Sequence, residues 1–161
     1  MIVYRIVLEK YADALAASGN PARWNTRDVK MIYTTGSRAL ASLENVVHRG
    51  SRGLQNRFRI LVIEVPAQLS IAEIHLRELR PGWEKYQNYP FTQNLGENWI
   101  RAGKTAILRA PSVIIPEESN YLINPLHLDF AQIKLKSSQS FVFDKRIKSK
   151  NQIKGKTIGN N

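Results

Sequence analysis

The stretch MIYTTGSRALASLENVVHRG, residues 31–50, decides how the rest of the chain is read. Met-Ile-Tyr-Thr-Thr has the β-branched and aromatic character of a short strand. Thr-Gly-Ser turns it, Ser37 stands where a helix N-cap belongs, and residues 37–48 repeat apolar positions at helical spacing. At about 100° per residue, Val46, Ala39, Leu43, Val47 and Leu40 fill one continuous apolar arc. Two side chains do not fit a purely structural role. Tyr33 sits where the chain leaves the strand, and Glu44 falls on the shoulder of the apolar arc, with His48 one turn beyond. A carboxylate beside a buried stripe is expected to face a positively charged ligand centre in a cleft.

Working outward, IVYRIVL (2–8) alternates as a first strand, and it places Arg5 between Val3 and Val7. An unpaired guanidinium on an interior face is costly, so Arg5 is expected to reach a cleft or an anionic partner. EKYADALAAS (9–18) reads as a helix stopped by Gly19-Asn20-Pro21. FRILVIEVP (58–66) is the strongest strand, and SIAEIHLREL (70–79) reads as a helix with Ser70 and Glu73 in a capping box. TQNLGENWIRAG (92–103) reads as a helix ending at Gly103, KTAILRAPSVIIP (104–116) as one or two buried strands, and NYLINPLHLDF (120–130) as turn-rich. AQIKLK and SFVFD read as closing strands. Strands outnumber helices and do not alternate with them regularly, which predicts an α+β fold with mixed sheets flanked by helices.

The 161 residues suit one domain, long enough to bury a core without disulfides or structural metal. There are no cysteines, which removes thiolate zinc sites, cysteine nucleophiles and a disulfide framework, and which fits a cytoplasmic protein. No apolar run approaches the length of a membrane span, and the N-terminus lacks a signal-peptide pattern. Net charge is +11, but the last stretch, 145–161, holds six basic residues and no acidic one, leaving +5 for residues 1–144. The expected division is therefore a folded domain over 1–144 and a basic, disordered tail over 145–161.

Several motifs are excluded by spacing. The two Gly-Lys-Thr tripeptides, at 103–105 and 155–157, lack the earlier glycine of a P-loop. No Gly-x-Gly-x-x-Gly follows a strand. His48, His75 and His127 are too widely spaced to predict a metal site.

Four segments remain: VYRIV, ARWN, IYTTGSRALASLE and APSVIIPEESNYLINPLH. Together with Leu-Gly-x-x-Trp they form seven ordered blocks, which resemble the RES domain over residues 2 to about 144. That resemblance implies a fold similar to ADP-ribosyltransferases and NAD as the substrate, with no metal. It also implies the role of toxin in a bacterial toxin–antitoxin pair that depletes NAD at its nicotinamide–ribose bond, by hydrolysis, phosphorolysis or ADP-ribosyl transfer. Carried over by position, Glu44, Arg23 and Tyr33 become the catalytic set, and Arg5, Arg23, Tyr33, Ser112 and Asn124 the NAD-binding set. One departure is visible, Ala22 where the family has Gly before Arg-Trp-Asn. The implied partner is a helix-turn-helix, Xre-type antitoxin that occludes the site, so that nucleic acid is contacted only through it. Phosphate or a protein is a candidate acceptor.

These residue types suit that chemistry. Arginine presents a planar fork of donors that matches pyrophosphate oxygens. Cleavage of an N-ribosidic bond passes through an oxocarbenium-like transition state, as glycoside hydrolysis does. Nicotinamide departs neutral from a pyridinium, so no general acid is needed and one carboxylate suffices. The alternative reading is a basic nucleic-acid or ribosome-associated module acting through the Lys-rich tail, with binding that falls steeply as salt rises.

Overall fold

The computed structural model describes residues 1–54 and 57–148, with the side chains of 50–53 and 148 left aside. Among the described residues seven strands form one sheet: β1 (Ile2–Leu8), β2 (Ile32–Thr35), β3 (Phe58–Glu64), β4 (Ile71–Glu73), β5 (Ile107–Pro111), β6 (Ser119–Ile123) and β7 (Lys134–Phe141). Their spatial order is β4-β5-β6-β2-β1-β3-β7, antiparallel throughout except for the parallel β4–β5 pair. Among the described residues three helices accompany them, α1 (Arg38–Gly53), α2 (Tyr89–Ala102) and the short α3 (Lys145–Lys148). The fold is α+β with a single mixed sheet. No helix among the described residues is long and apolar enough to cross a membrane.

Strand pairing is uneven, and that unevenness creates the site. β1 pairs with β3 from Ile2↔Glu64 to Leu8↔Phe58, whereas β1 and β2 share only Tyr4↔Thr35. Beyond that pair the two strands separate and the sheet opens. Side chains alternate across a strand, so Tyr33, Thr35, Asn120, Leu122 and Leu108 share one face through their register. Both long helices lie on that face. α1 covers Ile6, Phe58 and Ile60 with Ala41. α2 covers Leu108, Ala110 and Leu122 with Trp99. The opposite face carries a separate apolar cluster that includes Val3, Val7, Ile32, Leu61, Ile63 and Ile123. The open strand pair thus lies between two helices on one face.

Several expectations are corrected. Residues 9–18 make only a 3-10 turn, Glu9–Tyr11, and then run irregularly. Leu15 and Ala17 pack on the core from this path, and the carbonyl of Ala16 between them turns to Arg5, a set of contacts that outweighs helix propensity. Residues 70–79 hold the edge strand β4 and a 3-10 turn, Leu76–Glu78. The acceptor expected at Glu73 is instead Glu78, which takes the His75 amide at 2.6 Å. The segment 120–130 begins inside β6, and the two expected closing strands are one, β7. The tail splits: 145–148 form α3, while the expectation of disorder for 149–161 lies outside the described residues.

α1 itself begins as expected, with the Ser37 hydroxyl accepting the Leu40 amide at 3.0 Å. Its buried face is rotated from the apolar arc. Leu40 and Ala41 are buried while Ala39 is exposed and Val47 is 58 % exposed. Glu44 and Asn45 therefore point inward, because the cleft rather than the core lies beneath the middle of this helix.

Candidate active site

A cleft of about 540 Å³ opens between α1 and the α2 side of the sheet, within the size range of small-molecule sites. Tyr33, Thr35 and Asn120 come from the sheet, Glu44, Asn45, His48 and Arg49 from α1, and Arg23 and Tyr89 from the far wall.

The far wall explains the Arg-Trp-Asn block. Trp24 is buried, with its ring 6.1 Å from that of Trp83. Asn25 is also buried, and its amide nitrogen donates to the carbonyls of Asn20, Thr26 and Val29, which closes the loop on itself. Arg23 is then the charged member of the block that faces the cleft. Its guanidinium donates to the carbonyls of Trp83 and Glu84, both at 2.8 Å, and lies 4.5 Å from the Tyr89 ring centroid. No carboxylate pairs with it among the described residues. Ala22 has no positive φ, so alanine fits where the family has glycine.

The Leu-Gly-x-x-Trp block supports the same wall from behind. A Cβ on Gly96 would meet the Trp24 carbonyl oxygen at 2.0 Å and its carbonyl carbon at 2.9 Å. α2 thus presses on the Arg23–Trp24 backbone, and only glycine permits it. Gly96→Ala gains helix propensity but forces backbone apart, so overpacking wins and stability falls by about 2 kcal/mol. Thermal unfolding should show this as a drop of about 4–8 °C.

Opposite stands Glu44. Its Oε1 accepts from Ser112 Oγ at 3.1 Å and from Asn120 Nδ2 at 3.0 Å, and its Oε2 lies 3.1 Å from His48 Nε2. Burial pushes this carboxyl up, but hydrogen bonds from His48, Asn120 and Ser112 and the charge of His48 outweigh it and hold the pKa below the ordinary carboxylate value. The result is a fixed anion whose side chain is 16 % exposed. Asn120→Ala removes one of these donors. Activity should drop about tenfold, and the acid limb of the pH profile should move upward, because the bond lost favoured the charged form.

Arg5 arises on the core face of β1 and reaches the cleft where β1 and β2 separate. It donates to the Ala16 carbonyl at 2.7 Å and has no acidic partner among the described residues. Burial lowers its pKa, the mark of a cation whose desolvation is not offset.

Tyr33 also lines the cleft, but its hydroxyl is committed: it accepts from the Trp24 amide at 3.0 Å and donates to Asn25 Oδ1 at 2.7 Å. Burial pushes the phenol well above its ordinary value. The hydroxyl proton is thus engaged by Asn25, and the ring lines the cleft.

The structure gathers Arg5, Arg23, Tyr33 and Glu44 around one space. It does not bring Ser112 or Asn124 into the lining. Ser112 is fully buried behind Glu44, and its hydroxyl also accepts the amides of Ile114 and Ile115. In this structure the Ser112 hydroxyl braces the Glu44 carboxylate, whereas the sequence placed it among the NAD-binding residues. Asn124 accepts the Leu126 amide at 3.0 Å and shapes the turn after β6, for the reason that Asn-Pro sequences initiate turns. Asn120, Asn45, Arg49 and Tyr89 line the cleft without having been expected from the sequence. No local pattern marks the first three, whereas Tyr89 lies in an aromatic-rich stretch of sequence, PGWEKYQNYP (81–90), that could have drawn attention to it.

The fold is that of a known class. It matches a chain of the crystal structure of the M. tuberculosis MbcT-MbcA toxin-antitoxin complex with a TM-score of 0.73, over 88 % of this chain and 84 % of that one, at 16 % identity. In sequence, the family model described as RES domain matches residues 2–144. The "Prs ADP-ribosylating toxin" of Sphingobium sp. (strain YBL2) is 39 % identical over 141 residues, 84 % of this chain and 88 % of that protein. A "Toxin Res" of Yersinia enterocolitica is 31 % identical over 154 residues, 92 % of this chain and all of that protein, 100 %. The chain belongs to the RES domain family.

Proposed function

We propose that this chain is the toxin of a toxin–antitoxin pair and depletes NAD by breaking its nicotinamide–ribose bond. One observation carries the reading: a braced, ionised Glu44 shares a cleft with two guanidinium groups, Arg5 and Arg23, that have no carboxylate of their own among the described residues. NAD is a substrate of matching charge, with an anionic pyrophosphate and a cationic pyridinium on ribose.

In this reading Arg5 and Arg23 hold the pyrophosphate, and Glu44 faces the nicotinamide ribose. As the bond from C1′ to the pyridinium nitrogen lengthens, its electron pair goes to the nitrogen and nicotinamide leaves neutral. Positive charge gathers on C1′ and the ring oxygen, where the Glu44 carboxylate opposes it. Because Ser112, Asn120 and His48 already fix that carboxylate, little reorganisation accompanies the reaction. Tyr33 supplies a ring wall beside the nicotinamide ribose. Water, phosphate or a protein side chain then takes the ADP-ribosyl group. The name of the Sphingobium relative supports ADP-ribosyl transfer as one outcome, and the toxin–antitoxin complex with the same fold supports an antitoxin partner. We assign that partner to the helix-turn-helix, Xre type, seated over the cleft.

The test is incubation of the purified chain with NAD, with and without phosphate, followed by mass spectrometry. Release of nicotinamide is expected, and the mass of the other product identifies the acceptor. Intact NAD after incubation with folded protein would refute the reading.

A further inference from the structure

We propose that Tyr86 and Tyr89 form an aromatic subsite that stacks the adenine of the dinucleotide, an inference that rests on NAD as the ligand of this cleft. Tyr86 is 77 % exposed, a large ring that packing of the core does not explain. A lone exposed tyrosine is ordinary. This one is not alone: its centroid lies 4.7 Å from that of Tyr89, which lines the cleft. Tyr89 in turn has the Arg23 guanidinium 4.5 Å from its ring centroid.

The spacing YQNY creates this arrangement. Tyr86–Asn88 form a 3-10 turn that runs directly into α2 at Tyr89, and side chains three apart eclipse in that geometry. The turn is held from behind, because Asn88 donates to the Gly82 carbonyl at 2.7 Å and accepts from Arg80. These bonds brace the turn that carries Tyr86 into α2.

Its position follows the order of the substrate's parts. Thr35 is paired with Asn120, which holds Glu44, and marks the carboxylate end of the cleft. Tyr33, two residues back along β2 and about 7 Å away, holds the Trp24 amide and so the Arg23 loop. Arg23 then touches Tyr89, and Tyr89 touches Tyr86. Carboxylate, guanidinium and aromatic pair succeed one another as nicotinamide riboside, pyrophosphate and adenosine do in NAD.

The experiment measures calorimetric binding of AMP and of nicotinamide mononucleotide to the wild-type chain, Tyr86→Ala and Tyr86→Trp, with nicotinamide release from NAD followed alongside. Tyr86→Ala should weaken AMP about tenfold, the scale of base–aromatic stacking, leave nicotinamide mononucleotide unaffected, and raise KM for NAD more than it lowers kcat. Tyr86→Trp should retain AMP binding. The subsite is refuted if the wild-type chain does not bind AMP, if Tyr86→Ala binds it as well as wild type, or if both nucleotides weaken equally. AMP binding that depends on Tyr86 in a chain that leaves NAD intact would keep the subsite and refute the NAD-cleaving reading.

Discussion

Replacing Glu44 by Gln should lower nicotinamide release about a thousandfold while the protein stays folded. The substitution keeps shape and most of the hydrogen bonding: a glutamine oxygen still accepts from Ser112 and Asn120. What it removes is the negative charge opposite the ribosyl cation, and loss of a single preorganised electrostatic contact at a reacting centre costs about 10²–10³-fold. Stability responds with a definite sign. The folded-state pKa of Glu44 lies below its ordinary value, so its contribution is present at neutral pH and is lost as pH falls through that depressed pKa. The difference in Tm between wild type and Glu44→Gln should be largest near neutrality and shrink as pH falls below the ordinary carboxylate range. A variant that unfolds at every pH would assign Glu44 to structure instead.

Arg5→Met is expected to act in opposite directions on stability and binding. Arg5 is half-buried, burial lowers its pKa, and it meets no acidic partner among the described residues, so an apolar chain of similar length relieves a cost. The Ala16 carbonyl that loses its donor sits in an exposed contact and returns to water. A Tm rise of about 2–4 °C, equivalent to about 1 kcal/mol, is the expected result by calorimetry. Affinity for ADP-ribose should fall about 10–100-fold, the scale of a charge-assisted hydrogen bond to phosphate. A residue kept for folding would lower Tm on removal. One kept for an anion raises it.

Much of the architecture was legible because local chemistry and tertiary structure agree. β1, β3 and α2 carry their patterns plainly, and Gly103 ends α2 in the left-handed conformation that favours glycine. The odd placements of Arg5 and Glu44 were legible as well, each a charge beside apolar neighbours. Residues 9–18 and 70–79 misled because good helix formers were recruited by contacts distant in sequence, the Ala16 carbonyl by Arg5 and Ile71–Glu73 by β5. The face of α1 misled for a related reason. An apolar arc predicts the inward side only where a core lies beneath, and here a cleft does. Asn120 was invisible because its role depends on strand register, Thr35↔Asn120, which no single segment encodes. Ser112 and Asn124 carried their motifs correctly, yet their oxygens are occupied by Glu44 and by a turn.

The proposed chemistry rests on Glu44 steadying positive charge on the nicotinamide ribose while Arg5 and Arg23 hold the pyrophosphate. A crystal structure of Glu44→Gln with intact NAD would decide it. The expected result is C1′ of the nicotinamide ribose beside residue 44, phosphate oxygens against both guanidinium groups, and the Tyr33 ring along the ribose. NAD seated with its nicotinamide ribose away from residue 44, or bound outside this cleft, would contradict it.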